Sequence, residues 1–442
     1  MVRLDAPEPA ASCSLHAWEG IAGHMTSQPT RVARDGMWTL LLNLLSKLQS
    51  VALLICGYHV AGFAGIGVLT TAVGASYLAS SAADFGLSNE IARVVAGRPF
   101  EQTVRTATSA GMVRIPIALL VSPLAFWLTL GRHAHVSWVV YVAMAAFSVA
   151  LLASTELIAS IGGLGNFVVP TQLVGGCRAA SSVLAVVLVY ATHSAASVLL
   201  SFAGGELAGV VMCLRYLRRY AYADNDDTPA ARLSRQHLWL GAASVVNVLT
   251  NQSDTVLVAA ILTPTQLGIF SIASQLQNGV ATLALSPASP MTVHAARAAA
   301  DGTNPLPAVN KARRLTLRLA ITMVVVVFGL AATCANVFTK LQPLSTHIGI
   351  ITLLLCLLAA IPSAVSGIYF AVAVGFKEHH RVGLGRLSGG LASAAVIIGL
   401  AEAFRLIGAA SGTLVRDLVA LTIAYRIAAP HLSEGPDDTH AA

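Results

Sequence analysis

Long apolar runs alternate along the chain with short polar interruptions. Twelve runs are long enough for membrane helices, at about 37–59, 66–84, 108–130, 137–160, 170–192, 195–213, 238–260, 267–289, 317–338, 347–374, 387–403 and 406–427. The interruptions fall into two sets that alternate. One set is tiny: HVAGFAG, GRHAH, THSA, TPTQ, the stretch from Lys340 to His347, and the turn near Arg405. The other is longer and basic. Its longest member, RYLRRYAYADNDDTPAARLSRQH, follows the sixth run and divides the chain six plus six. The expected fold class is all-α, a polytopic membrane protein of about 12 transmembrane helices in two pseudo-symmetric six-helix bundles. The expected organisation is a polar tail (1–36), a first bundle (37–214), a linker (215–237), a second bundle (238–427) and a tail (428–442).

Composition narrows the class. Of 442 residues, 56% are hydrophobic and 11% charged, and the mean hydropathy is +0.73. Soluble domains carry about 25% charged residues, so a soluble enzyme and a disordered scaffold are poor readings. A net charge of +7 would suit a nucleic-acid binder in a polar chain. Here the positions of the charges explain it better. With both termini on one side, 21 of the 27 Lys and Arg residues fall in segments on that side, Arg178 and Arg386 among them. Arg132, Lys340 and Arg405 fall on the other, and Lys47, Arg114 and Arg416 lie within spans. This asymmetry predicts a multi-pass membrane protein with both termini cytoplasmic.

No outer segment is large enough for an enzyme domain, and no G-x-x-x-x-G-K-[ST] phosphate loop occurs. An enzyme is not expected, nor a cofactor. A membrane glycosyltransferase or polysaccharide polymerase would present a larger outer loop. The first 36 residues lack the order of a secretory signal. Six scattered cysteines without C-x-x-C, and the short His pairs in GRHAH and KEHH, suit packing or solvent better than metal.

Each half begins alike. FAGIGVLTTAVGASYLASSAADFGLSNEIAR (63–93) and TQLGIFSIASQLQNGVATLALSPASPMTVHAAR (265–297) align at a shift of 203. Each runs through a helix rich in small residues to a breaker and ends on Ala-Arg. The stretch NQSDTVLVAAILTPTQLGIFSIASQLQNGV (251–280) resembles the start of the second half in bacterial polysaccharide flippases. GFAGIGVLTTAVG…DFGLSNEIARVVAG (62–97) is similar to their second helix and following inner loop. Those proteins belong to the multidrug/oligosaccharidyl-lipid/polysaccharide exporter superfamily. The resemblance implies a V-shaped pair of bundles around a central cavity. It also implies translocation of lipid-linked oligosaccharide by alternating access, with an ion-coupled small-molecule exporter as the alternative. The implied partners are that lipid-linked substrate, H+ or Na+ as coupling ion, and polymerase or chain-length assembly proteins.

A polyprenyl diphosphate must pass a low-dielectric core, and ionisable residues within spans cost about 2.5–3.5 kcal/mol at mid-helix. Those present are therefore the candidate site. Lys47 sits about ten residues, or roughly 15 Å, into the first span, with Asn43 and Ser50 on its face. It either faces the cavity or pairs with a carboxylate. Arg416 lies midway along the last span. Neighbours in sequence do not face each other on a helix, so Arg416 and Asp417 are expected to find separate partners, or Arg416 to face the cavity as a substrate-binding residue. Arg114 either snorkels to the surface or receives phosphate. Asn247, Asn251 and Asp254 share a helical face, which suits a coupling-ion or sugar site or a helix–helix cluster. Gln275 is a sugar-contact candidate. Glu206 is a coupling carboxylate or the partner of Lys47, and Asp417 is a further coupling candidate. Glu402 and Arg405, three apart, are expected to pair at the outer surface.

Overall fold

The computed structural model describes residues 28–85, 87–88, 114–128, 137–163, 166, 168–220, 245, 248, 254–258, 261–286, 291–301, 303–337 and 342–433. Helices α1 (28–60) and α2 (63–84) are two arms of the run Gln28–Asp84, broken at Ala61 and Gly62. Next come α3 (Arg114–Phe126), α4 (Trp138–Gly163), α5 (Val168–Thr192) and α6 (Ala195–Tyr220). In the second half, α7 is described over Asp254–Val258, followed by α8 (Pro264–Leu285), α9 (Leu306–Val337) and α10 (His347–Gly375). Helices α11 (379–404) and α12 (406–428) are arms of His379–Ala428, broken at Arg405. Seven described helices are long and apolar enough to cross a membrane, and two of these are kinked hairpins. With α3 and α8, every expected span but the seventh has a counterpart; most of 238–260 lies outside the described residues.

Short loops force neighbouring helices into antiparallel pairs, and small residues set how closely they approach. A Cβ on Gly65 would lie 2.2 Å from the carbonyl oxygen of Gly57, and one on Gly408 would lie 1.8 Å from that of Leu400. Both hairpins, α1–α2 and α11–α12, are closed by backbone contact that no larger residue permits. Helix α8 starts with a capping box. The Gln266 N–H donates to the Thr263 hydroxyl, and the Gln266 side chain accepts from the Thr263 N–H, with Pro264 in the first turn. The TPTQ interruption is thus the start of a helix as well as a turn.

The helices overrun the apolar runs at the end of the molecule that carries most of the basic residues. Helix α1 begins at Gln28, α6 continues to Tyr220, and α9 begins at Leu306, eleven residues before the expected boundary. Hydropathy marks only the part within hydrocarbon, whereas Ala, Leu, Arg and Lys favour helix on either side of that limit. Asn304 supports the early start of α9 by accepting from the Leu306 N–H at 2.8 Å. Lys311, Arg313 and Arg314 therefore sit on α9 rather than in a loop.

Each half has its own core. Leu53, Leu69, Phe126, Met144, Phe147 and Phe202 pack in the first, and Ile368, Tyr369, Phe370 and Val382 in the second. The halves meet at the end with the short turns. There Leu54, Tyr58, Phe63 and Ile66 pack with Leu267, Phe270 and Leu353. A Cβ on Gly268 of α8 would fall 2.6 Å from the carbonyl oxygen of Phe63 on α2. Replacing Gly268 by valine should therefore part α2 from α8 at this end. A cysteine placed at the otherwise buried Leu267 should then react with a soluble thiol reagent several-fold faster than in the parent. Unchanged labelling would show that the seam is not closed there.

Candidate functional site

A cavity of about 340 Å³ lies between the halves, from mid-depth toward the basic end. Helices α1 and α2 contribute Lys47, Gln49, Ser50, Leu53, Val73, Gly74 and Tyr77, and α4 and α6 contribute Phe147 and Phe202. From the second half come Gln275, Asn278 and Thr282 of α8, and Ser363, Ser366 and Phe370 of α10. Arg386 of α11 and Asp417 of α12 complete the charged lining. The lining combines amides and hydroxyls with an aromatic floor, the usual make-up of a small-molecule site.

Charge within the spans sorts into two kinds. Arg114, 9% exposed, donates to Glu156 at 3.2 Å and to the Asp84 carbonyl at 3.1 Å, tying α3 to α4 and to the end of α2. It neither snorkels nor reaches the cavity. Arg178 donates to both oxygens of Glu206, at 2.6 and 3.0 Å, and to the hydroxyls of Ser46 at 2.9 Å and Ser154 at 3.5 Å. One guanidinium thus joins α5 to α6, α1 and α4. Glu206 is fully buried and belongs to Arg178, not to Lys47. Arg416 donates from Nε and Nη2 to the two oxygens of Asp417, at 2.8 and 3.1 Å. That corrects the expectation of separate partners. The arginine side chain is long enough to fold back along the helix onto its neighbour, a reach that the directions of Cβ atoms do not capture. Gln277 donates a further bond to Asp417 at 2.7 Å.

Two cations are different. Lys47 lines the cavity and has no hydrogen bond or ion pair among the described residues. Arg386 lines it from the opposite half. Its guanidinium carbon stands 4.2 Å from the centre of the Phe370 ring, and its Nε is buried without a hydrogen-bond partner. The ring face offers partial compensation, since its quadrupole attracts a cation. No described carboxylate pairs with either residue.

Other expectations divide. Ser50 shares the cavity with Lys47, but Asn43, one turn nearer the basic end, donates to the Ser286 hydroxyl at 2.7 Å and bridges α1 to α8. Gln275 lines the cavity. Asn247, Asn251 and the side chain of Asp254 lie outside the described residues. Glu402 and Arg405 do not pair. Arg405 ends α11 at a kink with φ 53° and donates instead to the Ile261 carbonyl at 3.0 Å. The kink re-aims the side chain, so the spacing of three no longer brings it to Glu402. Arg178 and Arg386 were missed as interior residues. Arg178 falls within the span expected from 170, and only its sign assigned it to the inner surface. Arg386 lies one residue before the expected start of its span.

The comparisons bear on this architecture. A MATE transporter solved in complex with MaL6 superposes with a TM-score of 0.62 at 14% identity, covering 92% of this chain and 99% of that one. The Vibrio cholerae MATE transporter VcmN in its bent form gives 0.55 at 13%, covering 91% and 98%. This chain has the MATE fold. A multidrug/oligosaccharidyl-lipid/polysaccharide superfamily transporter from Pyrococcus furiosus, whose reversed pocket polarity suggests a different function for it, gives 0.61 at 15%, covering 93% and 99%. Residues 172–333 match a family model described as polysaccharide biosynthesis protein. No curated protein matches in sequence. The MATE fold and the family model agree with the resemblance to polysaccharide flippases, and the long apolar helices suit a multi-pass membrane protein.

The Arg178–Glu206 pair within this fold makes a direct prediction. Glu206→Ala should strand a buried guanidinium and cost about 3–5 kcal/mol. Combining Arg178→Met with Glu206→Leu should recover most of that loss, as followed by thermal unfolding of the detergent-purified protein. A double variant no more stable than Glu206→Ala would contradict the pairing.

Proposed function

We propose that the protein flips polyprenyl-diphosphate-linked oligosaccharide repeat units from the cytoplasmic to the outer leaflet of the inner membrane, for surface polysaccharide assembly. Lys47 and Arg386 carry this reading: two cations without carboxylate partners among the described residues, facing one cavity from opposite halves. In a low-dielectric setting they call for an anionic occupant, and a diphosphate supplies one. Gln275, Asn278 and Ser363 offer donors and acceptors for sugar hydroxyls on the same wall. Arg114 and Arg416, already neutralised, serve the scaffold. The matched family description points in the same direction.

The basic end is the cytoplasmic one in this reading, so both termini are inside. Alternating access then parts the halves at Asn43–Ser286 on one side and at Phe63–Gly268 on the other. Coupling to H+ or Na+ falls to Asp254, or to Glu206 or Asp417 if their arginines release them. Polymerase and chain-length proteins would receive the product.

The same cavity favours a second reading. Tyr77, Phe147, Phe202 and Phe370, together with Asp417, could take up an organic molecule for ion-coupled export. Gene deletion separates the two. The flippase reading expects surface polymer to disappear while lipid-linked units accumulate facing the cytoplasm. Intact polymer with increased drug susceptibility would favour the exporter.

Hydrogen bonds to charged groups contribute about 1.5–3 kcal/mol. Lys47→Ala and Arg386→Gln should therefore each slow translocation of a lipid-linked oligosaccharide in proteoliposomes by about tenfold or more, at near-normal expression. Full activity in both variants would remove the basis of the proposal.

A further inference from the structure

Helix α1 is bonded to the α5 region at three heights. The Thr171 hydroxyl donates to the Trp38 carbonyl at 3.0 Å, and Arg178 donates to the Ser46 hydroxyl at 2.9 Å. Nearest the short-turn end, His59 Nε2 and His193 Nδ1 share a hydrogen bond of 3.0 Å. The sequence separations are 133, 132 and 134, so the two helices run parallel and in register. The first two bonds do not change with pH, because a hydroxyl, a carbonyl and a guanidinium keep their protonation states. The third joins two imidazoles at an exposed site.

The His pair is built into its surroundings. His59 lies on the last turn of α1, beside the kink at Ala61 and Gly62. Its ring is held between Tyr190, with centroids 4.1 Å apart, and His193, with centroids 4.8 Å apart and planes 19° from parallel. His193 closes α5 in the left-handed region, with φ 51°, and its N–H donates to the Val189 carbonyl at 2.8 Å.

We propose that His59 and His193 form a proton-binding clasp that ties α1 to the α5–α6 turn and opens when both rings are protonated. In the neutral pair one ring's N–H donates to the bare nitrogen of the other. One added proton leaves an acceptor in place, so the bond persists. A second removes the last acceptor and sets two cationic N–H groups 3.0 Å apart. The clasp then opens, and the end of α1 is free to move at its kink. Both protons come from solvent and return to it.

The described residues around the pair bring no carboxylate to it. Against the pair, α5 supplies Tyr190, while Tyr58, next in sequence to His59, packs on Phe63. The first two turns of α6, the start of α2, the end of α3 and the start of α4 carry no charged residue, Tyr141 being their titratable group. The α3–α4 turn, with Arg132, His133 and His135, lies outside the described residues.

Spin labels at Val60 and Ser194 on the otherwise intact chain in nanodiscs would report the clasp. Between pH 8 and 5 the distance distribution should shift from one short population to a longer one. His193→Asn suits the left-handed backbone and keeps a non-titrating donor. It should hold the short distance at both pH values. His59→Phe keeps a ring against Tyr190 without the bond and should give one distribution at both pH values. A wild-type distance unchanged by pH, or an equal pH response in His193→Asn, would overturn the proposal. The readout involves no cargo, so its failure would leave the flippase reading untouched.

Discussion

A charge inside a membrane must be neutralised, hydrogen-bonded or wet, and most of this architecture follows from that constraint. Three arginines meet it with carboxylates. Arg114 with Glu156, Arg178 with Glu206, and Arg416 with Asp417 each settle a charge within one half of the molecule. The Arg178 pair does most, because its spare donors extend to α1 and α4 and fix four helices about one point. Lys47 and Arg386 meet the constraint differently, by facing the space between the halves. The cavity is therefore where the accounting of charge is left open, and that gap gives it a chemical preference.

The halves are built alike but not identically. Glu206 lies eleven residues after the start of α6 at Ala195, and Asp417 lies eleven after the start of α12 at 406. In the first half the carboxylate is met by an arginine from the preceding helix. In the second it is met by Arg416 on its own helix, and Arg386 of the preceding helix is left to the cavity and the Phe370 ring. One partner exchanged between repeats turns a closed scaffold pair into an available cation.

Much of this was legible in the sequence. Apolar run length located the spans that the described long helices occupy. Lys47 stood out because a charge ten residues into an apolar run has few explanations. The remainder depended on reach and direction, which spacing does not carry. Arg386 sits at a boundary that hydropathy cannot place to one residue. Arg416 folds back on its neighbour, and Arg405 turns away from Glu402 because the chain kinks beneath it. The helical overruns were hidden for a related reason: hydropathy reports the solvent, not the backbone.

The bond between Asn43 and Ser286 is a neutral one between two short side chains. Such bonds contribute about 0.5–1.5 kcal/mol net. Weighed against thermal energy, that biases the two arrangements of the basic end by roughly two- to tenfold rather than locking either. A cargo that prefers one arrangement even modestly could then shift the population, as a latch near balance allows.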